Sequence, residues 1–216
     1  MEEVMIKIEN AIKRYGAQVV LNDVSLTIRK GSITGIVGRN GSGKTVLFKS
    51  ICGFVPLDSG KITVDGKIIG EDTDMAENVG AIIETPGFLP NFSALKNLRF
   101  LAKIRNKIKD KEIIEAIQCV GLDPDSKKWV GKYSLGMKQR LGIAQAIMEN
   151  PDILILDEPM NGLDKHGVED IRKLLLSLKE DGKTILIASH NPLDIEVLCD
   201  NVYEMDAGEI SKISNT

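Results

Sequence analysis

The chain has 216 residues, enough for one large domain or one domain with a small insert. Charges nearly balance, 28 Lys and Arg against 31 Asp and Glu for a net −3, which argues against a broad basic footprint for nucleic acid. Hydrophobic residues at 43% exclude a disordered chain, and aromatics at 4% leave any base-stacking surface to very few residues.

Short β-rich apolar runs alternate with longer helical ones. Val4 to Glu9, Val19 to Ile28 and Ile33 to Val37 read as strands, with Lys30-Gly31 as the turn before the third. Gly43 to Cys52 reads as a helix, Lys61 to Ile69 as a hairpin turning at Asp65-Gly66, and Gly80 to Glu84 as a short strand. From Ser93 to Asn150 the signals are helical: Leu95-Leu98-Leu101-Ala102, Ile113-Ile114-Ile117-Val120, and Leu141-Ala144-Ile147-Met148. Ile153 to Leu156 is the solid apolar run expected of a strand covered on both faces. Val168, Ile171, Leu174, Leu175 and Leu178 share one helix face, Lys183 to Ala188 forms a strand, and Asp206-Ala207-Gly208 makes a last hairpin turn. These elements predict one domain over 1–216. An α/β core with a β subdomain spans 1–84 and 151–216, and a helical subdomain spans about 85–150.

Cys52, Cys119 and Cys199 are far apart and lack metal-ligand spacing, so they read as reduced, intracellular thiols. The acidic start MEEVMIKIEN does not read as a signal peptide, and no run has the length of a membrane helix. The expectation is a cytoplasmic protein whose membrane role, if any, comes through a partner.

Gly38-Arg39-Asn40-Gly41-Ser42-Gly43-Lys44-Thr45 matches the P-loop pattern in full, with a strand before it and a helix after it. Glycines let backbone N–H groups turn inward around phosphate oxygens while the helix points its positive end at them. Lys44 adds a point charge between β- and γ-phosphates, and Thr45 offers a hydroxyl to Mg²⁺. A chance Gly-rich turn would not carry the flanking strand and helix. Asp157 and Glu158 end the apolar run Ile153 to Leu156. Asp157 is placed to hold Mg²⁺, directly or through water, and Glu158 to polarise the water attacking the γ-phosphate. The plainer alternative, two carboxylates capping a helix after Pro159, weakens once the P-loop is present.

Between these motifs, Tyr133-Ser134-Leu135-Gly136-Met137-Lys138-Gln139-Arg140 opens a helix before the acidic strand. It resembles the signature motif of the ATP-binding cassette (ABC) ATPases. The other landmarks of that family appear in order from Val4 to Gly208: Tyr15 upstream of the P-loop, Asn161-Gly162-Leu163-Asp164 at the D-loop, and His190 at the switch histidine. The resemblance implies a P-loop NTPase (RecA-like) core with an antiparallel β subdomain and an inserted helical subdomain. It implies ATP and Mg²⁺ as cofactors, and catalytic roles for Lys44, Glu158 and His190. Tyr15, Gly38, Asn40, Gly41, Ser42, Gly43, Lys44, Thr45 and Val46 would bind nucleotide in one subunit, and Ser134 and Gly136 in trans. Asn161 and Asp164 would carry dimer communication. Partners would be a second ATPase subunit, forming a homodimer, and a multispan permease, so that the protein lies on the inner face of the membrane.

Each carried-over role has a plainer competitor: Tyr15 as a surface tyrosine, Ser134 as a helix cap, and Phe88, Leu89 and Phe92 as core rather than permease contacts. His166 reads as solvated in a helix's first turn. Three positions depart from the family pattern. Leu135 and Met137 replace a Gly and the Gln of the signature, and Glu84 stands where a Gln is usual. Glu84 can still reach Mg²⁺ or water, though as a negative charge. The segments IETPGF and SLGMKQRLGIA resemble the ATPases of bacitracin-resistance and lantibiotic-immunity exporters. The rivals are a soluble non-transport ABC ATPase, a P-loop kinase, and a module that binds ATP without turnover. The single cassette, the signature helix, and Glu158 with His190 respectively argue against them.

Overall fold

The computed structural model describes residues 3–213; the extreme ends of the expected 1–216 domain lie outside them. Two sheets build the fold. The first is antiparallel, with strand order β2-β1-β4-β5, from β1 (Val4–Tyr15), β2 (Gln18–Arg29), β4 (Ser59–Val64) and β5 (Lys67–Ile68). The second has the order β10-β9-β3-β8-β7-β6, from β3 (Ile33–Val37), β6 (Val79–Ile82), β7 (Ile153–Asp157), β8 (Thr184–Ala188), β9 (Asn201–Asp206) and β10 (Glu209–Ile213). Its strands run parallel except β10, which returns antiparallel on β9.

Helix α1 (Lys44–Cys52) lies between the sheets. Its Leu47, Phe48 and Ile51 are fully buried in one cluster with Ile6, Ile8 and Ile28 of the antiparallel sheet and Ile153, Ile155 and Leu186 of the parallel one. The alternate residues of the same central strands, Leu154, Leu156, Ile185 and Ile187, enter a second cluster with the helical region. That is why β7 and β8 carry no polar alternation: both faces are covered.

The helical region holds α2 (Ala94–Arg105), α3 (Asp110–Cys119), a 3₁₀ turn at Val130–Lys132, and α4 (Leu135–Ile147). α4 packs directly on the sheet edge. A Cβ on Gly80 of β6 would overlap the Ala146 carbonyl, and one on Gly142 would lie 2.7 Å from Pro86 Cγ. Gly80 lets the strand meet the helix, and Gly142 lets Pro86 of the segment after β6 approach it, so the helical region shares the core cluster instead of having its own. Helices α5 (Lys165–Glu180) and α6 (Pro192–Leu198) complete the chain.

Three elements differ from the sequence reading. β1 continues past Glu9 to Tyr15, because a bulge at Asn10 (φ 50°) resets the alternation so that Ala11 points inward again. Asn10 is held there by donating to Ser25 Oγ and Asp23 Oδ1. β6 ends at Ile82, before Glu84, whose φ of 64° breaks the strand. α6 is short and carried no clear periodicity. Both hairpin turns form where expected, with positive φ at Asp65 and Gly66 and at Ala207 and Gly208. Among the described residues, no helix is long and apolar enough to cross a membrane.

Candidate nucleotide site

The parallel strands deliver their following residues to the carboxyl end of the sheet, the usual position of a ligand crevice in such folds. Gly38 follows β3, Glu158 follows β7, and Ser189-His190 follow β8. The pairings Ile36 with Ala188 and Asp157 with Ala188 bring these ends level.

A cleft of about 490 Å³ is lined by Tyr15, Gln18, Val20, Asn40, Gly41, Gly43, Lys44, Thr45, Val46, Asp157 and Glu158. Gly41 has φ 81° and Gly43 φ 112°, conformations that an L side chain resists, and nothing lies within 4 Å of a Cβ built on Gly41. The loop is therefore open toward the cleft. Lys44 Nζ donates to Gly38 O at 2.7 Å and Arg39 O at 2.9 Å, which folds the ammonium back over the loop. Among the described residues, Ser42 Oγ is buried without a hydrogen-bond partner. An orphaned hydroxyl inside a glycine-rich turn at a helix N-terminus fits an anion whose oxygens would complete it. Tyr15 is half exposed at the cleft mouth, with Lys13 Nζ 5.5 Å from its ring centroid.

Thr45 Oγ1 donates to Asp157 Oδ2 at 2.8 Å. One hydroxyl and one carboxylate oxygen side by side suit a hard cation that keeps most of its shell as water and phosphate oxygens. Glu158 has φ 50°, which costs a non-glycine residue about 1 kcal/mol. Three contacts hold it there: its N–H donates to Ala188 O at 3.0 Å, and its carbonyl accepts from Asn161 N at 3.1 Å and Gln139 Nε2 at 3.2 Å. Strain of this kind concentrates where a side chain must be aimed. The Glu158 carboxylate meets His190 Nδ1 at 2.7 Å and accepts from His190 N at 3.4 Å.

Behind His190, the buried Asp194 accepts from Ser189 Oγ at 2.9 Å and pairs with Arg172 of α5. Ser189 Oγ in turn accepts from Asn191 N at 3.2 Å. This network fixes the turn after β8. The sequence reading missed it, because Arg172 and Asp194 stand far apart with no motif to join them. In the sequence Gln139 reads only as part of the signature, and its bond to Glu158 is not visible from spacing.

The remaining expected residues lie elsewhere. Gly38 and His190 line a neighbouring cavity of about 1050 Å³, together with Arg39 and Ser189. Glu84 is absent from the cleft lining; its carboxylate pairs with Lys49 Nζ of α1 at 2.8 Å. Ser134 caps α4, accepting from Met137 N at 3.2 Å, and neither it nor Gly136 lines the cleft. Asp164 Oδ1 caps α5 by accepting from Gly167 N at 2.7 Å. Phe92 packs edge-on to Phe100 with Lys96 over its face, Phe88 lies against the core cluster, and Leu89 is half exposed.

Residues 21–161 match the family model described as ABC transporter. The chain is 44% identical over 206 residues to an uncharacterised ABC transporter ATP-binding protein, YybJ of Bacillus subtilis, covering 95% of this chain and 94% of that one. It is 42% identical over 210 residues to the bacitracin transport ATP-binding protein BcrA of Enterococcus faecalis, covering 96% and 68%. The dimeric structure of MJ0796, a bacterial ABC transporter cassette, superposes with a TM-score of 0.87 at 24% identity, covering 98% of this chain and all of that one. At that identity the likeness speaks for the fold. The chain is thus a member of the ABC transporter family, in the class of its ATP-binding, ATP-hydrolysing cassettes.

Proposed function

We propose that this chain powers export of a peptide antibiotic or similar drug through a separate membrane permease, by closing on ATP as a head-to-tail dimer. The observation that carries this reading is a divided site. The cleft gathers the P-loop, Thr45, Asp157 and Glu158, while Ser134 and Gly136 are outside its lining on α4. A two-fold dimer would bring the Ser134 end of one copy to the P-loop of the other and complete two sites at once. The capped N-terminus of α4 has no acidic residue in its first turn, so it favours an anion. The name of BcrA points to the substrate class.

Within that site, Tyr15 stacks on the adenine and the loop from Gly38 to Thr45 encloses the phosphates, with Lys44 swinging its ammonium from the loop carbonyls to the phosphate oxygens. Thr45 and Asp157 would hold Mg²⁺, which when bound neutralises charge on the β- and γ-phosphates. Glu158 accepts the proton of the attacking water, and His190 orients the Glu158 carboxylate through its Nδ1–H. Glu84 is held on α1 by Lys49 and reaches the site only when that pair opens. Loss of the γ-phosphate removes the bridge to Ser134 and reopens the dimer; Asn161 and Asp164 lie at that seam. Phe88, Leu89 and Phe92 meet the permease, which holds the protein at the cytoplasmic face of the membrane.

ATP can drive closure only through contacts made in the closed state alone. Glu158→Gln should therefore bind MgATP, hydrolyse it poorly, and run as a dimer in light scattering while the nucleotide-free protein runs as a monomer. A persistent monomer with normal turnover would overturn the proposal.

A further inference from the structure

Leu135 is the first residue of α4, next to the Ser134 cap, and is 57% exposed. Its side chain nonetheless has a close neighbour. A Cβ built on Gly162 would lie 2.6 Å from both Leu135 Cγ and Cδ2, so the isobutyl group rests on the bare Cα of Gly162. One residue on, a Cβ on Gly136 would lie 2.8 Å from Gly162 O and 3.5 Å from Leu163 Cδ2. The first turn of α4 and residues 162–163 therefore interlock, each offering a glycine to the other's leucine.

The segment that Leu135 touches runs from Glu158 to Asp164, between β7 and α5. Asn161 N donates to Glu158 O and Leu163 N to Met160 O, so it is a compact double turn rather than a slack loop. Its other end is also tied to α4, because Gln139, one turn along the helix, donates to Glu158 O at 3.2 Å. One helix thus grips the segment at both ends: Gln139 at Glu158 and Leu135 at Gly162.

We propose that Leu135 is a positioning residue. Its packing on Gly162 clamps residues 158–164 to α4 and fixes the backbone from which the Glu158 carboxylate projects, within a single subunit. Packed contacts of this kind transmit displacement instead of absorbing it, so a shift of the Ser134 end of α4 is carried to the subunit's own Glu158. The kinetic consequence rests on the proposed role of Glu158; the clamp itself is a property of the lone chain.

The test pairs amide hydrogen exchange of the nucleotide-free protein with steady-state ATP hydrolysis, for Leu135→Ala and the volume-conserving Leu135→Met. Leu135→Ala should speed exchange across 160–163 about fivefold and lower kcat about fivefold, with KM for ATP within about twofold. Leu135→Met should restore both, since the contact survives. Unchanged exchange in Leu135→Ala would overturn the clamp whatever the activity, and faster exchange with unchanged kcat would overturn the positioning role. Absence of turnover in the unsubstituted chain would count against the proposed function, and exchange would then decide the clamp alone.

Discussion

Gly80→Ala probes the joint between α4 and the parallel sheet, on which the placing of Ser134 depends. Gly80 lies in β6 with strand dihedrals that any residue adopts, so the effect of the substitution is steric. The added Cβ would lie 2.8 Å from the Ala146 carbonyl carbon and 2.9 Å from Pro151 Cγ, with the Ala146 oxygen closer still. Real Cβ contacts essentially never fall below 3.0 Å, and the Ala146 oxygen would lie at 1.9 Å, so α4 must retreat by at least about 1.1 Å. Two of the three obstructing atoms are backbone and cannot rotate away. That puts the cost at the upper end of overpacking, about 3 kcal/mol. For a chain of this size the melting temperature should fall by roughly 6–12 °C, followed by circular dichroism. Gly87→Ala is the control: nothing lies within 4 Å of its Cβ, and the change should stay within about 0.5 kcal/mol. If Gly80→Ala melts within about 1 °C of the unsubstituted chain, the direct mounting of α4 on β6 is wrong.

Lys44→Ala removes the ammonium folded over the loop, and the dissociation constant of a fluorescent ATP analogue should rise about a hundredfold; a change under threefold or so would show that Lys44 does not meet phosphate. Asp194→Ala strands the Arg172 guanidinium and the Ser189 hydroxyl, which should cost about 3 kcal/mol in urea unfolding, and a loss below about 1 kcal/mol would mean the network bears little on stability. Burial pushes the Cys52 and Cys199 thiols up to about 12, whereas Cys119 is exposed. At pH 8 only about one in ten thousand of the buried thiols is ionised, so iodoacetamide should label Cys119 and spare the other two in the native chain. Labelling of Cys52 at the rate of Cys119 would contradict its burial.

The sequence made the local parts of this molecule legible. The apolar run Ile33 to Val37, the glycines after it, and the run Ile153 to Leu156 ending in two carboxylates each carry their own signal, and β3, α1 and β7 form there. What stayed hidden depends on partners distant in sequence. Glu84 reads as a carboxylate able to reach Mg²⁺ or water until Lys49, on a different element, takes it up. No motif marks Asp194 for burial; Arg172 and Ser189 account for it. The bulge at Asn10 extends β1 because Asp23 and Ser25 on the neighbouring strand satisfy it. Leu135 reads as a departure from a motif, and its meaning lies in the bare Cα of Gly162.

The sharing of each ATP between two copies can be tested by mixing two inactive variants, Lys44→Ala and Ser134→Arg. Each alone should be dead, because every site in its homodimer lacks one half. In an equal mixture half of the dimers are mixed, and each of those contains one site with an intact P-loop facing an intact Ser134. ATP hydrolysis should then return to about a quarter of the unsubstituted rate. If each subunit instead completes its own site, the mixture stays as inactive as its components, and the head-to-tail arrangement is contradicted.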